Sequence, residues 1–158
     1  MKTIRQNCFE TNSSSTHSLC ISEEGKYSSI SLNEDGNIIL NGGEFGWGWD
    51  KFNDPLTKAN YCVVDNQYNF NRIEFLKNVI KEQIGANEVI IDISDNYNSP
   101  NYSYIDHEGY GTTQELFSSE EKLKNFIFNE NSWLYIGNDN ETPPNKFYDF
   151  SDQKYPYT

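Results

Sequence analysis

The segment Glu10-Thr11-Asn12-Ser13-Ser14-Ser15-Thr16-His17-Ser18 carries side chains well suited to bind or transform a polar ligand. From Thr11 to Ser18 every side chain can donate or accept a hydrogen bond, and six of these eight carry a hydroxyl. Hydroxyls and free backbone N–H groups can hold a phosphate without a lysine, and Arg5 lies nearby in sequence. His17 adds a group that can bond an anion, carry a proton or bind a metal. The structural alternative is a solvated turn whose hydroxyls bond their own backbone.

Glycines alternate with aromatic residues in Gly43-Glu44-Phe45-Gly46-Trp47-Gly48-Trp49. Such a segment lets the backbone approach a ligand closely while a ring stacks on it. Glu44 and Trp47 are therefore candidate ligand contacts. The alternative is an irregular loop attached to the core by its two tryptophans.

Two further segments place polar groups after predicted strands. Asp106 and His107 could form a metal-ligand pair or an acid–base pair. Asp139, in the segment from Gly137 to Asn140, could contribute a carboxylate. Both segments also suit ordinary surface turns.

The elements that position these residues predict an α+β fold. A helix over about 70–84 follows from an apolar stripe at spacings of three and four, and Gly85 is placed to cap it. Pro55 could open a second helix, and Ser118 with Glu121 forms a capping-box pattern for a third. Apolar runs predict strands over 89–93 and 133–136, and the turn at 33–36 predicts a hairpin between 28–32 and 37–40. We expect one compact domain over 1–142, with a mainly antiparallel sheet and two to three helices, followed by a polar aromatic tail over 143–158.

Composition excludes several classes of protein. The net charge is −12, with 12 basic against 24 acidic residues, so direct duplex DNA binding is not expected. The acidic charge is typical of many small proteins, but it would also suit mimicry of a nucleic acid. No apolar stretch could span a membrane and no signal peptide is evident, so a cytoplasmic location is expected. Three cysteines without CxxC spacing do not predict a disulfide framework or zinc knuckle, and Cys8 and Cys20 are interpreted as small core residues.

The segment from Arg5 to Ser18, with Phe9-Glu10-Thr11-Asn12-Ser13-Ser14-Ser15-Thr16-His17-Ser18 at its centre, resembles the N-terminal signature of small uncharacterised proteins of Firmicutes phages and prophages. The segments 43–47, 105–107 and 131–140 are similar to later stretches of the same family. The resemblance extends to about residue 140. It implies a small accessory protein that redirects or blocks a host function, including defence, and it implies no mechanism.

Three functions remain open at the level of sequence. The first is a non-enzymatic binding protein for a phosphate-bearing ligand such as a nucleotide, held by the Ser/Thr-His loop with Trp47 or Trp49 stacked on a base. The second is an acidic inhibitor of a host nucleic-acid-binding protein, similar in strategy to anti-CRISPR proteins. The third is a small metal-dependent hydrolase, for which His17 and His107 would have to converge with Asp106 and with Glu44 or Asp139. Binding is favoured over catalysis, and no cofactor or resident metal is expected.

Overall fold

A computed structural model describes residues 17–106 and 111–138 of the chain, together with the backbone of 8–11. Its strands are β1 Cys8–Thr11, β2 Ser18–Ser22, β3 Asn37–Leu40, β4 Glu44–Phe45, β5 Asp50–Phe52, β6 Glu88–Ile91, β7 Tyr104–Ile105 and β8 Trp133–Ile136. Its helices are α1 Pro55–Asp65, α2 Phe70–Ile84 and α3 Glu120–Phe128, with a 3₁₀ helix over Gln114–Ser118. The predicted α+β class is confirmed. The predicted tail over 143–158 lies outside the described residues.

The main sheet is antiparallel and has the strand order β1-β2-β8-β5. Two small parallel pairs accompany it, β3 with β6 and β4 with β7. Leu19 and Ile21 of β2 belong to the main core, together with Leu134 and Ile136 of β8. Helix α3 packs on β2, and it also contacts both α1 and α2. The core therefore lies between one face of the main sheet and the three helices.

Helix signals in the sequence are mostly confirmed. Pro55 is the first residue of α1, and Asp54 caps the helix by accepting a hydrogen bond from the Thr57 N–H. Gly85 ends α2 in the left-handed conformation, with φ of 75°. The predicted N-cap of α3 is wrong by one residue. Ser119 accepts the cap bond from the Lys122 N–H, whereas Ser118 ends the preceding 3₁₀ helix.

The hairpin predicted between 28–32 and 37–40 is wrong. The turn itself forms, since the Gly36 N–H donates to the Asn33 carbonyl. Residues 28–32 make no strand, and β3 instead pairs in parallel with β6. A parallel partner must come from a distant part of the chain, so a local turn signal cannot identify it.

The cysteines differ from expectation in one respect. Cys20 is buried, as expected, but it is disulfide-bonded. Spacing in sequence does not show which cysteines the fold brings side by side, so the interpretation of Cys20 as a simple core residue did not include its disulfide. Cys62 is a buried free thiol, and burial raises its pKa well above the ordinary value, which makes the thiol unreactive. Disulfides are uncommon in a reducing cytosol, so a cytoplasmic location stays a proposal.

Candidate functional site

His17 lies immediately before β2 and is completely buried. Its Nε2 is 3.2 Å from the Gly137 carbonyl oxygen, and its Nδ1 is 3.0 Å from the Tyr61 hydroxyl. A carbonyl can only accept, so Nε2 donates its N–H to Gly137, while Nδ1 and the Tyr61 hydroxyl share the second hydrogen bond. The ring thus joins the end of the polar loop to α1 and to the segment that follows β8. A ligand could bond either nitrogen only by replacing one of these two partners.

Tyr61 links His17 to the glycine–aromatic segment. It comes from α1 and is fully buried, with its ring edge-on to Phe45 at a centroid distance of 5.1 Å. Nothing in the sequence singles out this tyrosine, because an aromatic residue within an apolar helix is usually a core residue. Its hydroxyl is what distinguishes it, since a buried tyrosine O–H needs a hydrogen-bond partner.

The glycine–aromatic segment lies directly against Asp106. Glu44 and Phe45 pair in parallel with Tyr104 and Ile105, and the Asp106 N–H donates to the Phe45 carbonyl at 2.6 Å. Gly46 has φ of 102°, and a Cβ atom there would lie 2.1 Å from the Asp106 carbonyl oxygen. Only glycine allows this approach.

The segment that follows β8 joins the same neighbourhood. The side-chain amide of Asn138, which is 6% exposed, donates to the Trp47 carbonyl at 3.0 Å. Together with the His17 to Gly137 bond, this contact brings the described parts of all four sequence-selected segments together. His17 is the first residue of the polar loop whose side chain is described. Asp106 and Asn138 are the last described residues of their segments. We call this region the convergent face, defined by His17, Glu44, Trp47, Asp106 and Asn138.

The exposed groups of the convergent face are acidic and aromatic. Glu44 is exposed, Asp106 is half-buried, and Trp47 keeps 58% of its surface accessible. Within residues 17–106 and 111–138, no three His, Cys, Asp or Glu side chains are grouped so that they could hold a metal ion.

Several predicted site residues cannot be placed. Only the backbone of Thr11 is described, opposite Leu19 in the β1–β2 pair. Eight further predicted site residues lie outside the described residues: Arg5, Asn12, Ser13, Ser14, Ser15, Thr16, His107 and Asp139. The hydrolase hypothesis requires His17 and His107 to converge, and His107 belongs to this group.

Asp65 anchors residues 111–113 to the end of α1. Its carboxylate is 4% exposed and accepts three hydrogen bonds, from the N–H groups of Gly111 and Thr113 at 2.8 Å and from the Thr113 hydroxyl at 2.5 Å. The adjacent Asn66 amide donates to that hydroxyl at 2.8 Å. Asp65 is the last residue of α1, where the helix dipole disfavours a negative charge. A carboxylate at the C-terminal end of a predicted helix is the signal in the sequence that singles out Asp65.

We expect Asp65→Ala to lower the free energy of unfolding by about 2 kcal/mol, because it leaves two backbone N–H groups and a hydroxyl without their acceptor. Urea denaturation followed by tryptophan fluorescence would measure the loss. The control is Asp95→Ala, which removes an exposed carboxylate from a loop. Equal losses in the two variants would show that Asp65 does not anchor residues 111–113.

Comparisons with protein-family models, curated proteins and solved structures gave no match to this chain. Among the described residues, no helix has the length and apolar character needed to cross a lipid bilayer.

Proposed function

We propose that this protein is a non-catalytic, acidic binding protein whose convergent face docks on a basic surface of a partner protein. The observation that carries the proposal is the exposure of Trp47 three residues after exposed Glu44, in a segment whose strand β4 pairs with β7, the strand that leads to Asp106. Tryptophan is enriched among residues that dominate binding energy, and acidic groups around it would select and steer a basic partner.

The whole-chain charge supports the same class of partner. With a net charge of −12, the protein repels nucleic acids and is attracted to the surfaces that bind them. The resemblance to small phage proteins adds the proposal that the partner is a host protein, for example a nucleic-acid-binding component of a defence system. In that case, the acidic side chains would occupy the place of nucleic-acid phosphates.

Binding of a phosphate-bearing small ligand is the second candidate. It is favoured by the position of the hydroxyl-rich loop, which ends at the convergent face through His17. Two features weigh against it. Both ring nitrogens of His17 already have partners, and the carboxylates of Glu44 and Asp106 would repel a phosphate.

The decisive experiment begins with capture of proteins from a Firmicutes lysate by the immobilised protein, followed by purification of each retained protein. We expect a retained nucleic-acid-binding protein whose complex is displaced by its own nucleic acid. Trp47→Ala should weaken this complex by about 2 kcal/mol, roughly thirtyfold, in calorimetry. The matched control is Tyr68→Ala, which truncates an aromatic residue that is 69% exposed in the α1–α2 connection.

Two results would contradict the proposal. One is retention of no basic protein, and the other is equal affinity of the Trp47→Ala and Tyr68→Ala variants. Saturable binding of a nucleotide in the same calorimeter, abolished by changes in the Ser/Thr loop, would instead establish the second candidate.

A further inference from the structure

Three tyrosines form a partly exposed aromatic ladder beside the convergent face. Tyr102 and Tyr104 are nearly parallel, with an interplanar angle of 12° and centroids 6.2 Å apart. Tyr97 meets Tyr102 edge-on at 5.4 Å. Tyr97 is 78% exposed and Tyr104 36% exposed. Contiguous rings at a surface contribute little to folding by burial and are typical of interaction sites.

An open groove of about 690 Å³ adjoins this ladder. It is lined by Asn41, Gly42, Gly43, Glu44, Asp92, Pro100, Asn101 and Tyr102. Two of these residues carry carboxylates, and none is a lysine or an arginine. A positively charged group is therefore the occupant that the lining selects.

Hydrogen bonds hold the groove in shape. The Asn101 amide donates to the Asp92 carboxylate at 2.8 Å, and the Gly43 N–H donates to the Ser103 hydroxyl oxygen at 3.1 Å. The Gly42 N–H donates to the Asn60 side-chain oxygen at 2.9 Å. Because both walls are fixed before binding, a ligand would not have to bear the entropic cost of ordering them.

The carboxylates also create a negative electrostatic environment around the tyrosine rings. Desolvation, and after it the Glu44 carboxylate, raise the pKa of the Tyr102 phenol above its ordinary value; Tyr104, Tyr97 and Asp106 act in the same direction. The face of a tyrosine ring attracts cations, and nearby carboxylates strengthen that attraction.

We propose that this groove binds an arginine side chain presented by the partner protein, with its guanidinium against the Tyr102–Tyr104 ladder and within reach of Glu44 and Asp92. The planar guanidinium stacks on aromatic rings and offers paired donors to carboxylates, whereas a lysine ammonium is a compact and strongly hydrated charge. This inference rests on the proposed function, for which it specifies the chemistry of the partner.

The test is an NMR titration of the full-length, ¹⁵N-labelled chain with a short peptide of alternating arginine and glycine. We expect saturable shifts of the backbone amides of Gly42, Gly43, Glu44, Asn101 and Tyr102. The lysine–glycine peptide should bind more weakly, and the glutamate–glycine peptide should leave these amides unmoved. Equal responses to the arginine and glutamate peptides, or arginine-dependent shifts confined to another surface, would overturn the proposal.

Two sets of variants test the contributions of the tyrosine rings and of the Glu44 carboxylate separately. The double variant Tyr102→Leu and Tyr104→Leu should weaken arginine-peptide binding about tenfold, which is about 1.4 kcal/mol. Tyr68→Leu, which removes an exposed tyrosine elsewhere, should not weaken it. Should the double variant fail to fold, Glu44→Gln provides a surface change, compared with Glu82→Gln on the exposed side of α2. Unchanged affinity in both ladder and Glu44 variants would refute the proposal.

Two further results distinguish this inference from the proposed function. A captured basic partner whose affinity is unaffected by the ladder and Glu44 variants would overturn the arginine site and leave the proposed function standing. Arginine-peptide binding in the groove without any retained basic protein would support the site and overturn the proposed function. Saturation of the same amides by a neutral oligosaccharide, without a response to arginine, would instead identify a carbohydrate site and overturn the proposal.

Discussion

Replacing His17 by alanine is expected to lower the free energy of unfolding by about 4 kcal/mol, because it leaves a cavity and removes two buried hydrogen bonds. The imidazole is completely buried, so the cavity would not fill without movement of its neighbours. The Tyr61 hydroxyl and the Gly137 carbonyl would lose the partners that they have at 3.0 and 3.2 Å. Urea unfolding monitored by circular dichroism would measure this loss.

A double-mutant cycle isolates the bond between His17 and Tyr61. Tyr61→Phe removes only the hydroxyl, and we expect it to cost about 1–2 kcal/mol in the wild-type background. In the His17→Ala background the same change should cost about 1 kcal/mol less, since the bond is already lost. The control is Tyr68→Phe at an exposed position. Additive costs in the cycle would mean that the two side chains do not interact.

The His17 prediction also bears on the nature of the convergent face. The sequence selects His17 as a candidate ligand contact, and the structure shows it buried, with both ring nitrogens hydrogen-bonded to other parts of the chain. Its bonds to α1 and to Gly137 determine where the polar loop ends. Among the residues of this face, Glu44 and Trp47 are exposed and Asp106 is half-buried.

Local signals in the sequence predicted the helices because a helix forms between near neighbours. The apolar stripe of α2 and the proline at the start of α1 contain the required information within a few turns. The cap of α3 was misplaced because two serines precede its first glutamate. Only the contacts show that Ser119 bonds the Lys122 N–H while the Ser118 hydroxyl donates to the Glu115 carbonyl.

Long-range pairings could not be predicted in the same way. Neither the parallel pairing of β3 with β6 nor the approach of Gly46 to Asp106 leaves a local trace in the sequence. For the same reason, the sequence identifies four candidate segments but does not show which of them contact one another. The contacts of His17 with Tyr61 and Gly137 illustrate this, because these two look like an ordinary core residue and an ordinary turn residue in the sequence.

Lys58 is a further buried polar residue on which the fold depends. It is completely buried in α1, and its Nζ donates to the carbonyls of Asn129 and Ser132 at 2.9 and 3.0 Å. These two residues connect α3 to β8, the strand that leads to Gly137 and Asn138. Burial lowers the pKa of Lys58 to about 7, against an opposing effect of Asp54. A neutral amine has two N–H donors, which match the two carbonyls.

The stability of the protein should therefore rise with pH in a way that depends on Lys58. The amine binds its proton less tightly in the folded state, with a pKa of about 7 in place of the ordinary 10.5. Between these values the unfolded chain carries a proton that the folded chain lacks, so raising the pH favours folding. We expect the Lys58 contribution to the free energy of unfolding to increase by about 1.4 kcal/mol per pH unit across this window. Below pH 7 the full cost of charging a buried amine, about 5 kcal/mol, remains.

Lys58→Met provides the comparison, because methionine retains much of the apolar side chain and cannot ionise. Tyrosine ionisation and general charge repulsion affect both proteins, so the difference between their free energies of unfolding isolates Lys58. We expect that difference to shift in favour of the wild type between about pH 7 and 9.5, by about 3 kcal/mol in total, in urea denaturation at each pH. Near pH 7 the methionine variant is relatively more stable, because it has no buried charge. Near pH 9.5 it is relatively less stable, because the carbonyls of Asn129 and Ser132 lack their donor. A difference that does not vary with pH, or that varies no more than for Lys81→Met at an exposed position, would show that Lys58 is not held as a neutral amine.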